Sequence, residues 1–222
     1  MQQAYHTLRV VSEAETVRIV LSTSPDTHML LELVAACATL STARGIKAVV
    51  LDFRQLRVSY SAGATPSPAE IEKATKAIYI ITQPVLAVIR DTLAPDACKL
   101  LSAADMTLTA DEATLTLSTG ENETETLKGS YAARLGYITW STQTANLDRE
   151  MERILHMLRE KSAIALQIAK ASVRLGASEQ GTRLEALQRI NALYLKETMV
   201  TKDAPEGLRA FLEKRKPTWN NL

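Results

Sequence analysis

Ile46-Lys47-Ala48-Val49-Val50-Leu51-Asp52-Phe53 decides the fold class of this 222-residue chain. Apart from Lys47 and Asp52 the stretch is apolar without alternation, the pattern of a strand buried on both faces, as in parallel sheets. Upstream, Thr7 to Ser12 and Thr16 to Ser22 alternate apolar and polar residues around Glu13-Ala14-Glu15, which predicts a hairpin. Ser24-Pro25-Asp26 breaks the chain and Thr27 is a candidate cap. Met29 to Ala43 then carries Leu30, Leu33, Val34, Cys37 and Leu40 at helical spacing, with Gly45 as the stop. Downstream, the pattern predicts a helix over Pro68 to Ile81 and, after Pro84, a second apolar strand over Val85 to Ile89. A short helix over Asp96 to Ala104 and short strands over Met106 to Leu108 and Ala113 to Leu117 follow. Strands alternating with helices imply an α/β fold with parallel pairing and right-handed crossovers.

The pattern changes after Glu121. Leu127 to Leu135, Leu147 to Leu175, Ser178 to Val200 and Pro205 to Arg215 repeat apolar residues every three or four positions, so the final third reads as helical without strands. The expected organisation is an α/β core over 1–143 and a helical region over 144–222. Those helices offer more apolar positions than one chain covers, which points to an oligomer.

Composition narrows the function classes. The chain is 46% hydrophobic and 23% charged, as expected of a folded protein with a core. Its 26 Lys and Arg against 25 Asp and Glu leave a net charge of +1. That predicts no nucleic-acid partner for the chain as a whole, while a local basic patch could still meet a polyanion. Two cysteines, Cys37 and Cys98, suit a reducing compartment rather than a disulfide scaffold. The first residues carry no secretory pattern, and no apolar run is long enough to span a bilayer. A cytoplasmic location without a membrane partner is the expectation.

Common catalytic motifs are absent: no GxGxxG, GxxxxGK[ST], HExxH, CxxC or GxSxG occurs. His6, His28 and His156 lie far apart, and no metal site is expected. Cys98 has only Lys99 as a nearby partner, so it reads as a buried bystander before a nucleophile. Two segments stand out. Ser59-Tyr60-Ser61-Ala62-Gly63-Ala64-Thr65 follows a strand and is built of small residues. It is either a plain connection or a place where backbone N–H groups approach a ligand. In Thr92-Leu93-Ala94-Pro95-Asp96-Ala97 a strand meets a helix whose first amides attract oxyanions. Asp96 there is a base or, more commonly, a capping carboxylate.

Four stretches together resemble the enoyl-CoA hydratase/isomerase (crotonase) superfamily. They are Ile46 to Phe53 followed by Ser61-Ala62-Gly63-Ala64; Gln83-Pro84-Val85-Leu86-Ala87-Val88; Ala103-Ala104-Asp105-Met106-Thr107-Leu108 with Ala110 and Ala113; and Thr201 to Pro217. The last, TKDAPEGLRAFLEKRKP, is similar to the Asp-Ala-x-Glu-Gly-x-x-Ala-Phe-x-Glu-Lys-Arg tail of these proteins. With Tyr194 and Met199 it looks most like the cyclic-dienoyl-CoA hydratases. The resemblance implies a crotonase-like spiral of ββα units with a helical C-terminal trimerisation region. It also implies a homo-trimer or hexamer, or a hetero-oligomer with a crotonase homologue.

In that family an acyl-CoA thioester binds with its carbonyl oxygen between two backbone N–H groups, which stabilise an enolate. The resemblance assigns one of these to Ala64, at the end of Ser61-Ala62-Gly63-Ala64, with Thr65 where the family has Asp. The other falls on Asp96, because the family's Gly-Gly-Gly run aligns with Pro95-Asp96-Ala97. The two catalytic glutamates of hydratases align with Lys99 and Thr119, and these cannot divide acid and base work as two carboxylates do. Glu121, Glu123 and Glu125 are substitutes or an acidic surface loop. His28 matches a basic residue near the CoA nucleotide, and Lys214 a tail lysine that reaches the nucleotide of a neighbouring subunit. No cofactor is implied beyond coenzyme A as part of the ligand. The expectation is an acyl-CoA-binding protein of weak or altered activity, or else a catalytically inactive structural or regulatory subunit beside an active homologue.

Overall fold

The computed structural model describes residues 5–22, 24–40, 43, 45–56, 65–118, 124–177 and 182–221. Strands β1 (Leu8–Glu13) and β2 (Thr16–Leu21) form the expected hairpin. Its turn holds two non-glycine residues at positive φ, Ala14 at 40° and Glu15 at 64°, the geometry that matches the right-handed twist of the two strands. Helix α1 (Thr27–Leu40) follows. Its cap is Asp26 rather than Thr27: the Asp26 carboxylate accepts the Met29 amide at 2.7 Å, which leaves Thr27 as the first helical residue.

Strand β3 (Ala48–Asp52) is buried at every position, as its apolar run requires, and so is β4 (Val85–Ile89). Helix α2 (Pro68–Ile80) lies between them, started by a capping box of Ser67 with Glu70 and by Pro68 in its first turn. Helix α3 (Pro95–Leu101), β5 (Met106–Ala110) and β6 (Thr114–Ser118) follow in the predicted order.

Beyond β6 the chain departs from the helices that its apolar spacing predicts. The helix expected over Leu127 to Leu135 is a strand, β7 (Thr124–Lys128), and then a short helix, α4 (Gly129–Arg134). A further strand, β8 (Trp140–Thr142), closes one sheet edge. The long helix expected over Leu147 to Leu175 is two, α5 (Leu147–Arg159) and α6 (Ala163–Ala177). Ser162 makes the break: its hydroxyl accepts the Ala165 amide at 3.4 Å and caps α6. Helices α7 (Arg183–Leu193) and α8 (Asp203–Leu212) complete the chain, with one π-helical turn, Tyr194–Thr198, after α7.

The main sheet has the order β1-β2-β3-β4-β5-β8. Only β1 is antiparallel; β2 through β8 in this sheet run the same way. Helices α1, α2 and α3 cover one face through Val49, Leu51, Val85, Ala87 and Ile89. Helix α5 covers the other, setting Leu147, Met151, Ile154 and Leu155 on Ala48, Val50, Leu86, Val88 and Leu108. At ~1.5–3 kcal/mol for each fully buried large apolar side chain, these two faces are the main favourable contribution to folding.

Helix α6 docks differently, through charge. The Lys170 ammonium, 5% exposed, meets Asp105 Oδ2 and the Gln83 carbonyl, each at 2.7 Å. Arg174 bonds Asp105 Oδ1 at 2.8 Å and the Tyr79 carbonyl, and lies 3.7 Å over the Tyr79 ring. Asp105 also accepts the Val85 amide. One carboxylate therefore ties α6 to the start of β4.

Candidate functional site

The parallel strands share a carboxyl edge, and three connections meet it. The start of α1 follows β2, residues 53–67 follow β3, and the start of α3 follows β4. Ligands of open α/β sheets gather at that edge, where the connections present backbone groups. The candidates His28, Ser61 to Ala64 and Asp96 all belong to these three connections.

Ser61, Ala62, Gly63 and Ala64, the proposed first half of the thioester cradle, lie outside the described residues, as do Thr119, Glu121 and Glu123. The approach to that segment is well fixed. Arg54 grips Asp52 through both carboxylate oxygens, Nε to Oδ1 at 2.8 Å and Nη2 to Oδ2 at 2.5 Å, and its amide bonds Oδ1 at 3.0 Å. The same guanidinium reaches Asp148 at the start of α5, and Arg90 stands 3.5 Å from that carboxylate. Asp52 is the one polar residue of an otherwise apolar strand. That oddity was the available signal for this clamp, and sequence reasoning did not use it.

Asp96 occupies the first turn of α3. Leu93 bonds Thr114 of β6, which anchors the approach to this turn. Pro95 fills the first helical position, where its missing N–H is no loss, and the N-cap residue Ala94 offers no side-chain acceptor,. Among the described residues the Asp96 and Ala97 amides have no acceptor, as expected of the first helical N–H groups. The Asp96 carboxylate pairs along the helix with Lys99, Oδ1 to Nζ at 3.0 Å. This pairing directly joins two residues that the family resemblance assigned to separate roles. It places an ammonium beside the negative charge that would otherwise oppose an oxyanion at the Asp96 amide. The pair is substantially exposed, so it adds little stability.

His28 projects from α1 with Nδ1 3.9 Å from Glu32 and its ring centroid 6.2 Å from that of His6. Burial raises the Glu32 carboxyl, but hydrogen bonds from the Thr7 hydroxyl and the His6 and Thr7 amides, with the nearby His28, outweigh it and hold the group below its usual range. Lys214 lies just past α8 at a φ of 52°, exposed. Glu125 is exposed on β7. Cys98 is buried, its thiol 3.7 Å from the Leu93 carbonyl, and burial pushes it up to about 11. That makes it a poor nucleophile at neutral pH. Among the described residues no group of three or more His, Cys, Asp or Glu is placed to hold a metal, and no helix is long and apolar enough to cross a membrane.

The tail motif has a structural use that the sequence did not disclose. Asp203, 4% exposed, accepts the Ser162 hydroxyl at 2.6 Å and the Asn220 and Asn221 amides at 2.7 and 3.2 Å. Glu206 takes Arg215 through both oxygens, at 2.7 and 3.0 Å, and the Thr218 amide at 2.8 Å. Trp219 passes over Gly207 and donates its indole N–H to the Glu160 carbonyl at 2.7 Å. The chain end is thus folded back onto the α5–α6 junction.

No protein-family model matches the chain. A 61-residue stretch is 44% identical to cyclohexa-1,5-dienecarbonyl-CoA hydratase of Thauera aromatica, spanning 27% of this chain and 22% of that protein. Among solved structures, an enoyl-CoA hydratase of Bacillus anthracis superposes with a TM-score of 0.81 at 19% identity, over 98% of this chain and 100% of that one. The enoyl-CoA hydratase of Mycobacterium smegmatis gives 0.76 at 21%, over 96% and 99%. Identity at this level speaks to architecture alone. The chain has the fold of the enoyl-CoA hydratase/isomerase (crotonase) superfamily.

Proposed function

We propose that this chain binds an acyl-CoA thioester at the carboxyl edge of its sheet, the carbonyl oxygen held by the backbone amides of Ala64 and Asp96. The observation that carries the reading is that β2, β3 and β4, which lead into the three candidate connections, end side by side at one edge of a crotonase fold. The Asp96 amide, which has no acceptor among the described residues, supports it. In this reading Ser61, Ala62 and Gly63 line the thioester, while His28 and Lys214 attract the phosphates of the CoA nucleotide, Lys214 from a neighbouring subunit.

The oxyanion donors are retained while the proton-moving carboxylates are replaced by Lys99 and Thr119. Loss of general acid–base catalysis costs on the order of 10²–10⁴ in rate, so hydration of an enoyl thioester is weak or altered. A second reading is favoured by the Asp96–Lys99 ion pair, which occupies both charged candidates with each other. The chain is then an inactive structural or regulatory subunit, assembled with an active homologue or with itself as a trimer or hexamer. Its contact surface is the helical region, where Val200, Phe211 and Leu212 stand more than 70% exposed.

Turnover of crotonyl-CoA and of a cyclic dienoyl-CoA by the pure full chain separates the two. Slow hydration abolished by Asp96→Ala or Lys99→Ala supports the altered enzyme. Saturable binding without turnover supports the inactive subunit. Absence of binding at millimolar ligand removes the enzyme and any retained thioester site alike, and leaves only a structural subunit.

A further inference from the structure

A groove of about 540 Å³ lies at the amino edge of the sheet, opposite the candidate connections. Its walls come from the β1–β2 turn (Glu15), the approach to β3 (Lys47), the end of α5 (Arg159, Glu160, Lys161) and the folded-back tail (Lys216 to Trp219, Asn221). Two tethers hold the tail across it: Lys216 to Glu160 at 3.2 Å and Asn221 Nδ2 to Glu15 at 3.4 Å.

The lining is rich in donors and poor in acceptors. Four cations, Lys47, Arg159, Lys161 and Lys216, line the groove beside two carboxylates, Glu15 and Glu160, and Arg159 also pairs with Glu152 outside the lining. Both carboxylates are already engaged, Glu15 by Lys47 at 3.1 Å and by Asn221, Glu160 by Lys216. Lys47 is 5% exposed at the floor, and its ammonium gives two of its three protons to Glu15 and the Arg159 carbonyl. Arg159 spends Nε on Thr16 and Nη1 on Glu152 and keeps Nη2 without a partner among the described residues. Lys161 has no carboxylate within ion-pair distance among the described residues. Such a lining selects a group whose oxygens only accept, and which carries more than one negative charge. Trp219, its N–H tied to Glu160 and its edge against Gly207, adds a half-buried aromatic surface in a fixed position.

We propose that this groove is an anion site for a nucleoside diphosphate group, free or as part of a larger nucleotide. The diphosphate lies among Lys47, Arg159, Lys161 and Lys216, and the base lies against Trp219. The volume is within the range of small-ligand sites. The site stands on the amino edge of β3, so it is separate from the proposed thioester cradle.

The test titrates the full chain with ADP, inorganic diphosphate and CoA in turn, following tryptophan fluorescence and, in parallel, heat. The chain has two tryptophans, Trp140 and Trp219, so Trp219→Phe identifies the reporter. The expected result is saturable ADP binding whose fluorescence change disappears in Trp219→Phe. Affinity should fall by about tenfold or more in Lys161→Glu/Lys216→Glu, as two charge-assisted contacts are lost. Tighter binding of ADP than of diphosphate confirms the aromatic contact, and competition by CoA identifies the larger nucleotide as an occupant. Both lysines are on the surface, and unchanged circular dichroism of the double variant establishes that it folds. The proposal is overturned if no saturable binding appears at millimolar ADP, or if the folded double variant binds as the parent does.

Discussion

At Gly129 a single hydrogen atom decides whether β7 can run into α4. A Cβ built there meets the Ala110 carbonyl oxygen at 2.3 Å and the Thr109 side chain at 2.7 Å. Both obstacles sit on β5, one of them main chain, so neither moves aside easily. Gly129→Ala should therefore lower stability by about 3 kcal/mol through overpacking, read as a reduced midpoint in urea. An unchanged midpoint would show that α4 is free to shift. Ala14 presents the reverse case. Its φ of 40° is uncomfortable for a residue with a Cβ and ordinary for asparagine in a two-residue hairpin. Ala14→Asn should raise stability by about 0.5 kcal/mol, and the same urea titration checks it. A strand-turn-strand pattern was legible here in the residues, whereas the backbone angles of the turn were not.

Among the elements, the apolar runs behind β3 and β4 were readable because both faces of a central strand must be covered, and no amphipathic helix mimics that pattern. β7 was not readable: in Thr124-Glu125-Thr126-Leu127-Lys128 only Leu127 is buried, and the strand exists because β6 lies opposite it. β8 is three residues long, too short for any periodicity. The α5–α6 break was hidden for a similar reason, since Ser162 acts through Asp203, 41 residues away. That pair gives a prediction for the tail. Asp203→Ala leaves three donors unmatched at a largely buried position, at roughly 1–3 kcal/mol each where water cannot replace the acceptor. The tail should then release residues 217–221, detected as faster amide exchange there and at Ser162; unchanged exchange would deny Asp203 its role as a clamp.

Helix α6 carries a pH dependence. Burial pushes the Lys170 ammonium down, the hydrogen bond and charge of Asp105 pull it back, and Arg174 opposes it, leaving it at about 8 against an ordinary 10.5. Between these values the unfolded chain holds a proton that the folded chain has released, so stability from this group rises with pH from about 8 to 10.5. Lys170→Met removes the buried charge and should flatten that rise in thermal midpoints taken across the window. A rise that persists unaltered in Lys170→Met would place its origin elsewhere.

For the whole molecule, sequence and structure agree on architecture more fully than on chemistry. The order of elements and the tail motif were enough to indicate a crotonase fold, because the burial patterns of the central strands and of the helices packed on them are written locally. The site was only partly legible: the Asp96–Lys99 pairing depends on the α3 turn, and the Arg54–Asp52–Asp148 clamp joins positions 94 residues apart. The central claim is that main-chain donors at the sheet's carboxyl edge still polarise a thioester although the usual carboxylates have been replaced. Carbon-13 resonance of crotonyl-CoA labelled at the thioester carbonyl tests this most directly. Bound to the full chain, the carbonyl signal should move downfield as two amides draw charge onto its oxygen. A ligand shown by calorimetry to be saturating, with the carbonyl signal still at its free position, would contradict the account.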